Sequence, residues 1–361
     1  MKSLLFLLVS LTCFGQMFPG PGGNVTIAAS GSCGGSINGF THCRKLTIDH
    51  TQVSSTLTNF TVVLNTTIAN LKSTGSGGSV TDAQGDDIVF TSDNTCTTMI
   101  NWDPLEAWNS STGAITAWIK IASVSSSADT DFYICYGKAA ITTFQGGSAG
   151  AAWDSNFRGV WHLSDNAATT TVVDSTGHAN GTNQVNTSTV TVAGQEANAL
   201  NYANSTDYTT TTDAGFTSTN TWTVCAWINP LAQRGTIMRN DDSGNATYFQ
   251  VSATAHLIVG PGVFLTGSTA MTPGTWYHAC VVSITGTSTT VYLNGVSDGT
   301  TATVTPWNTQ PSEFGGDPFS TNMGKLDELE LSNTNRSVDW ISAAYNNTKS
   351  GTTFITVGSE S

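Results

Sequence analysis

Residues 153–165 read WDSNFRGVWHLSD, and the alternation inside this stretch decides how the chain divides. From Arg158 to Leu163, Val160 and His162 point to one face and Gly159, Trp161 and Leu163 to the other, the period of a β-strand. The stretch follows Gly146-Gly147-Ser148-Ala149-Gly150-Ala151-Ala152, small residues of the kind that join domains. One unit is expected before it and a second after it, and 361 residues are enough for each to bury its own core.

Both halves read as short strands separated by Gly, Asn and Ser. Upstream these are Arg44–Asp49, Asn59–Asn65, Asp87–Thr91, Ala114–Ile121 and Asp131–Gly137, with one helical turn at Ile68–Lys72. Downstream, Val224, Ala226 and Ile228 alternate with Thr223, Cys225 and Trp227, and Asn294-Gly295 suits a tight hairpin after Val291. Ser337–Asn346 is the one helical segment, with Val338, Ile341 and Tyr345 on one face. The pattern predicts an all-β protein of two β-sandwiches in tandem with one short C-terminal helix. The expected division is a signal peptide over 1–16, a flexible extension with a short strand over 17–36, a first sandwich over 37–145, a linker over 146–157 and a second sandwich over 158–361.

TFQGGSAGAAWDSNFRGVWHLSD resembles the junction between a family of unknown function and a concanavalin-A-like (laminin-G-like) jelly roll, an order found in bacterial surface proteins. RKLTIDH, GDDIVFTSDN and DFYICYGK carry the first resemblance, with Asp93 as the acidic residue after the D-I-V-F strand. ALNYAN, TWTVCAWINP, GTWYHACVVS, TVYLNGV and GKLDELELSNTNRSVDWISAAYNNT carry the second. The resemblance implies that the sandwiches are jelly-roll-like, a fold more than a function. It implies a structural calcium on the Asp of Gly324-Lys325-Leu326-Asp327-Glu328, with Asp174 and Asn180 as further oxygen ligands. It also implies glycan binding as one use of the fold, for which Trp307 is the aromatic, with Asn308 and Asp317 beside it.

Lys2 and the apolar run Leu4–Leu11 read as a secretory signal, too short to span a bilayer. The product is expected outside the cell. Six cysteines follow the signal, an even number that favours disulfides in an exported chain, and six allow fifteen pairings. Cys225 and Cys280 form the only pair in the second unit and are joined on that ground. Cys96 with Cys135 and Cys33 with Cys43 is the reading for the rest. A net charge of −13 excludes nucleic acid, which needs basic stripes, and electrostatic docking on anionic lipid. No membrane insertion is expected. Asn-x-Ser/Thr sequons at Asn24, Asn59, Asn65, Asn109, Asn180, Asn186, Asn204, Asn245, Asn335 and Asn346 give glycosylation sites where the source modifies Asn.

A retaining glycosidase needs two carboxylates on one strand face, as Glu-x-Asp-x-Glu or with one extra residue at a bulge. In Lys325-Leu326-Asp327-Glu328-Leu329-Glu330 a lysine stands at the nucleophile position; Asp327 fits, with Glu330 added only if a bulge is present. There is no Gly-x-Ser-x-Gly elbow, and His162 and His278, within strands beside Trp or Tyr, read as packing residues. No catalytic residue is assigned. Val25, Thr26, Ile27, Ala28 and Ala29 alternate between two flexible stretches, so this strand either folds back on its own sandwich or adds to the sheet edge of another copy. The expected function is that of a non-catalytic extracellular structural or adhesive protein, a self-assembling subunit of a fibre or matrix whose partners are other copies of itself. The alternative is a monomeric lectin-like module that binds glycans, and a remote third is a glycoside hydrolase of the same fold.

Overall fold

The structure, a computed structural model, describes residues 33, 36–204, 207–212, 221–231, 234–240, 246–261, 264–307, 312–317 and 321–360. The expected assembly strand, Val25–Ala29, lies outside them, as do Asn24, Asn245 and Asn308.

Six strands precede the junction: β1 (His42–Ile48), β2 (Leu57–Thr67), β3 (Val89–Thr91), β4 (Ala107–Trp108), β5 (Ala114–Val124) and β6 (Thr130–Tyr136). Alternation decides what each face of β2 and β5 meets. Val62 pairs with Ile119 and Leu64 with Ala117, all facing the first core. Val63 and Trp118, paired between them, face the opposite way and pack with Ala152, Trp153, Phe157 and Val160.

The junction stretch forms β7 (Phe157–Trp161). It ends two residues short of the expected Leu163, which adopts a left-handed φ of 61°. Gly159 is required there: a Cβ on it would sit 2.1 Å from the Trp161 ring. The strands that follow are β8 (Thr171–Val172), β9 (Gly181–Asn183), β10 (Thr191–Ala193), β11 (Asn198–Tyr202), β12 (Thr209–Thr211), β13 (Trp222–Pro230), β14 (Gly235–Asn240), β15 (Thr247–Val251) and β16 (Leu257–Gly260). After them come β17 (Leu265–Thr266), β18 (Tyr277–Ile284), β19 (Ser288–Leu293), β20 (Val296–Thr301), β21 (Ser312–Phe314), β22 (Gly316–Asp317), β23 (Thr321–Asn322) and β24 (Gly324–Ser332). One sheet runs β10-β11-β24-β13-β18-β19-β20, with β7 also on β24; the facing sheet runs β17-β16-β15-β14-β21-β12-β9-β8. Trp222, Val224, Ala226 and Ile228 fill the space between them. Asn294 and Gly295 both take positive φ, 51° and 79°, in the two-residue turn between β19 and β20.

The end of the chain departs from the expected division. Helix α1 (Val338–Thr348), capped by the Ser337 hydroxyl, lies between the two sandwiches. Its buried residues are Ile341, Ala343, Asn347 and Thr348; of the expected face, Ile341 and Tyr345 pack on the second sandwich, whereas Val338 is 51% exposed. Ile341 packs on Cys225, Cys280 and Val282 of the second sandwich, and Trp340 meets Phe60 of the first at 4.8 Å. The Asn347 side-chain oxygen accepts from the Val63 amide. Then β25 (Ile355–Glu360) pairs antiparallel with β1. The second unit therefore does not extend to residue 361. The first sandwich comprises sheets β25-β1-β6-β3 and β2-β5-β4, and it takes its outer strand from beyond the second sandwich.

The Gly/Ala stretch is not a slack linker. Ala152 and Trp153 are buried, the Ala152 carbonyl accepts from Thr61, and the Lys120 ammonium donates to the Ala151 and Trp153 carbonyls. Its small side chains let the backbone lie against β2 and β5. Arg336 completes the junction: its fork donates to both Asp154 oxygens at 2.5 and 3.0 Å, and its plane lies 4.2 Å from the Phe157 ring and 4.3 Å from the Trp340 ring. Burial alone would raise the Asp154 carboxyl; the guanidinium outweighs it and holds the group below its ordinary range.

The structure joins Cys33 to Cys43, Cys96 to Cys135 and Cys225 to Cys280. Of the sequons, Asn59, Asn65, Asn109, Asn180, Asn186, Asn204 and Asn335 are exposed. Asn346 is half-buried and tied to the Gln52 carbonyl and the Lys349 ammonium.

Arg336→Ala leaves the half-buried Asp154 with the Asn156 amide but without the guanidinium, and urea unfolding is expected to show a loss of about 3–5 kcal/mol, as for a broken buried pair. A loss below about 1 kcal/mol, the range of an exposed ion pair, would contradict this account of the junction.

Candidate functional site

The β24 strand carries a bulge. Cys225 faces Glu330 and Trp227 faces Asp327, so Ala226 alone stands opposite Glu328 and Leu329. Glu328 adopts a φ of 50°, a conformation that costs a non-glycine residue roughly 1–2 kcal/mol. The extra residue keeps Leu326, Leu329 and Leu331 in the core and turns Asp327, Glu328 and Glu330 to the opposite side, under the first sandwich.

His162, just past β7, meets Glu328 there. Its Nδ1 lies 2.7 Å from Glu328 Oε2 and its Nε2 lies 3.2 Å from Asp103 Oδ2. Asp103 belongs to the first sandwich and Glu328 to the second, so the imidazole spans the junction. Trp118 stacks on it at 5.2 Å, and Trp153 lies at 5.8 Å. Trp118 Nε1 donates to Glu106 Oε2 at 2.9 Å. Glu106, His162 and Glu328 place one ligand atom each within 4.8 Å of one another. Glu106 Oε1, Glu328 Oε1 and Asp327 Oδ1 are buried with no hydrogen-bond partner. A cleft of about 300 Å³, lined by Asp103, Leu105, Glu106, His162, Asp165 and Asp174 among others, leads to the cluster.

Burial opposes charge on His162, but Glu328 and Asp103 outweigh it and hold the imidazolium well above the ordinary histidine range. Burial raises Glu328; His162 opposes the rise and Glu106 adds to it. Asp327 is raised by burial and then by Glu106, although the Glu196 and Gln195 amides donate to its Oδ2.

The residues expected to bind ligands fall elsewhere. Asp174 is a turn cap: its carboxylate accepts from the amides of Val160, Thr176, His178 and Ala179, which leaves it filled. Asn180 is exposed and accepts from the Asp174 amide. Neither shares a hydrogen-bond partner with Asp327. Trp307 is 1% exposed, packed on Trp222 at 4.9 Å, so it is a core residue and presents no face to a sugar. Asp317 is buried and accepts from the Thr236 hydroxyl. The bulge that a glycosidase pair would need is present, yet Asp327 is fully buried and its face is covered by the first sandwich. The sequence reading does not single out Asp103 and Glu106: both lie in the short Asp103-Pro104-Leu105-Glu106 segment before β4, and no local pattern ties them to His162, 59 positions from Asp103.

Residues 203–342 match the concanavalin A-like lectin/glucanases superfamily. The match begins after the first sandwich. No curated protein matches this chain. Among solved structures, domain 4 of the extracellular arabinanase AbnA from Geobacillus stearothermophilus, in complex with arabinotriose, is 17% identical over 54% of this chain and 98% of its own, with a TM-score of 0.44. The ligand-binding domain of botulinum neurotoxin serotype D with N-acetylneuraminic acid is 14% identical over 55% and 52%, with a TM-score of 0.42. The Trypanosoma rangeli sialidase is 12% identical over 52% and 32%, with a TM-score of 0.40.

His278, the other strand histidine, packs among Trp227, Tyr345 and Cys280, and burial alone pushes its imidazole down to about 4. The folded protein keeps it neutral, while the unfolded chain, with an ordinary pKa near ~6.5, takes up a proton as pH falls. This share of stability is complete above about pH 6.5 and is lost toward pH 4, by roughly 3 kcal/mol. Urea midpoints at about pH 7.5 and about pH 4.5 are expected to differ less in His278→Leu than in the parent. Equal differences in both proteins would contradict a neutral buried imidazole.

Proposed function

We propose that this protein is an exported structural or adhesive subunit, in which the first sandwich joins copies and the concanavalin A-like sandwich is displayed beside it. The observation that carries this reading is the position of β25. It is the outer strand of its sheet, and no strand among the described residues pairs with its outer edge. Such an edge offers a row of backbone donors and acceptors to any strand that reaches it. Arg44 pairs with Glu360, and the neighbouring Cys43, on β1 next to β25, is joined to Cys33 by a disulfide.

Val25–Ala29 ends four residues before Cys33. Four extended residues reach up to ~14 Å, about three strand spacings. This reach is long enough for the strand to add to a β25 edge, and on this reading it is the edge of a second copy. Three disulfides fit an oxidising compartment, and among the described residues no helix is long and apolar enough to cross a membrane. Native exported material is expected to form regular assemblies in the electron microscope. Deletion of residues 17–29, which spares Cys33, is expected to leave dispersed particles. Unchanged association of the deletion variant would overturn the reading.

A lectin-like module acting as a monomer is the second reading. It draws on the superfamily match and on a polar groove of about 530 Å³ lined in part by Asn59, Lys120, Asn156, Asn335 and Arg336. On that reading a glycan array gives saturable binding that weakens about tenfold in Asn156→Ala, the loss of roughly one hydrogen bond. Binding that is absent, or unchanged by the substitution, would exclude this groove.

A further inference from the structure

The cluster under the junction gathers three carboxyl groups around one histidine. Asp103, Glu106 and Glu328 surround one imidazole, and two of the carboxylate oxygens, Glu106 Oε1 and Glu328 Oε1, are buried with no partner. Glu328 is 5% exposed. Orphaned buried carboxylate oxygens are costly, and a bound cation is one way to satisfy them.

We propose that Glu106, His162 and Glu328 form a divalent transition-metal site that bridges the two sandwiches. The geometry already has the supporting contacts that such sites use. A metal-bound imidazole ligates through one nitrogen and donates the other N–H to a carboxylate. Here Nε2 donates to Asp103, and Nδ1 faces Glu328, the second ligand. Glu106 is oriented by the Trp118 indole N–H on Oε2, which leaves Oε1 for the ion. Two carboxylates and one neutral imidazole balance a divalent charge. The imidazole favours zinc, manganese or a similar ion over calcium, which takes oxygen ligands. The cleft beside Glu106 and His162 is the way in. This site is separate from the calcium ligands expected around Asp327, and it does not depend on the assembly reading.

The test is equilibrium dialysis of the full chain, stripped with chelator, against zinc chloride, with calcium chloride as the second arm. One zinc per chain is expected, with weaker binding of calcium. Glu106→Gln, an isosteric change at a half-buried residue of the first sandwich, is expected to lower zinc affinity at least tenfold while circular dichroism stays unchanged. Asp103→Asn should lower it by about 10–100-fold through loss of the positioning contact. Because Glu328 is buried in a strained bulge, Glu328→Gln is read only where the variant folds, and Glu106→Gln decides the matter otherwise. The surface group of Asp49, His50 and Asp129 is the control: His50→Gln should leave binding intact. Absence of stoichiometric zinc, or loss of zinc in His50→Gln with retention in Glu106→Gln, overturns the proposal.

Discussion

A histidine held between two carboxylates, one from each sandwich, fixes how the halves of this molecule meet. Apolar contacts at the junction, Trp118 and Trp153 above all, supply area without direction. The His162 contacts supply direction. Both ring nitrogens must be met, and sliding one sandwich past the other would strip Asp103 or Glu328 from a buried charge. Arg336 and Asp154 impose a second fixed geometry nearby, with the guanidinium plane set between Phe157 and Trp340. Together they make the junction a specified contact.

The chain's route reinforces this. The second sandwich stands between β6 and β25 of the first, so the first sheet is complete only after the second sandwich has been traversed. Helix α1 fills the angle between them, covering the Cys225–Cys280 bridge on one side and Phe60 on the other. This is also why β13 is buried along its whole length: one face meets the opposing sheet, and the other meets the helix and the first sandwich. The bulge in β24 is the local device that the arrangement demands. One inserted residue lets a strand of alternating Leu and acid present adjacent acids to the junction without losing its core side.

Much of the fold was legible because alternation is a local signal. The faces of β13, the split of Val160 and His162 from Trp161, and the Asn294-Gly295 turn follow from residues within a few positions of one another. What was not legible depends on distant partners. His162 lies 59 positions from Asp103 and 166 from Glu328, so nothing local distinguishes it from a packing histidine. The Gly/Ala stretch reads as a tether because small residues suit both slack chain and close packing; only the β2 and β5 surfaces select the second. Trp307, in a polar loop, suits either a glycan-facing aromatic or the cover of a core edge; it is the second, closing the core against Trp222. The return of β25 to β1 crosses about three hundred positions, and a six-residue strand carries no mark of which sheet it will join.

Equilibrium unfolding followed at once by far-ultraviolet circular dichroism and by tryptophan fluorescence tests the junction most directly. The dichroism reports all sheets, and the fluorescence sums tryptophans of the first core, the contact and the second core, Trp102, Trp118, Trp153, Trp161 and Trp222 among them. If the charged junction and the returning strand make the two sandwiches one cooperative unit, both signals trace a single coincident transition. Two separated transitions, with one sandwich melting while the other persists, would contradict it.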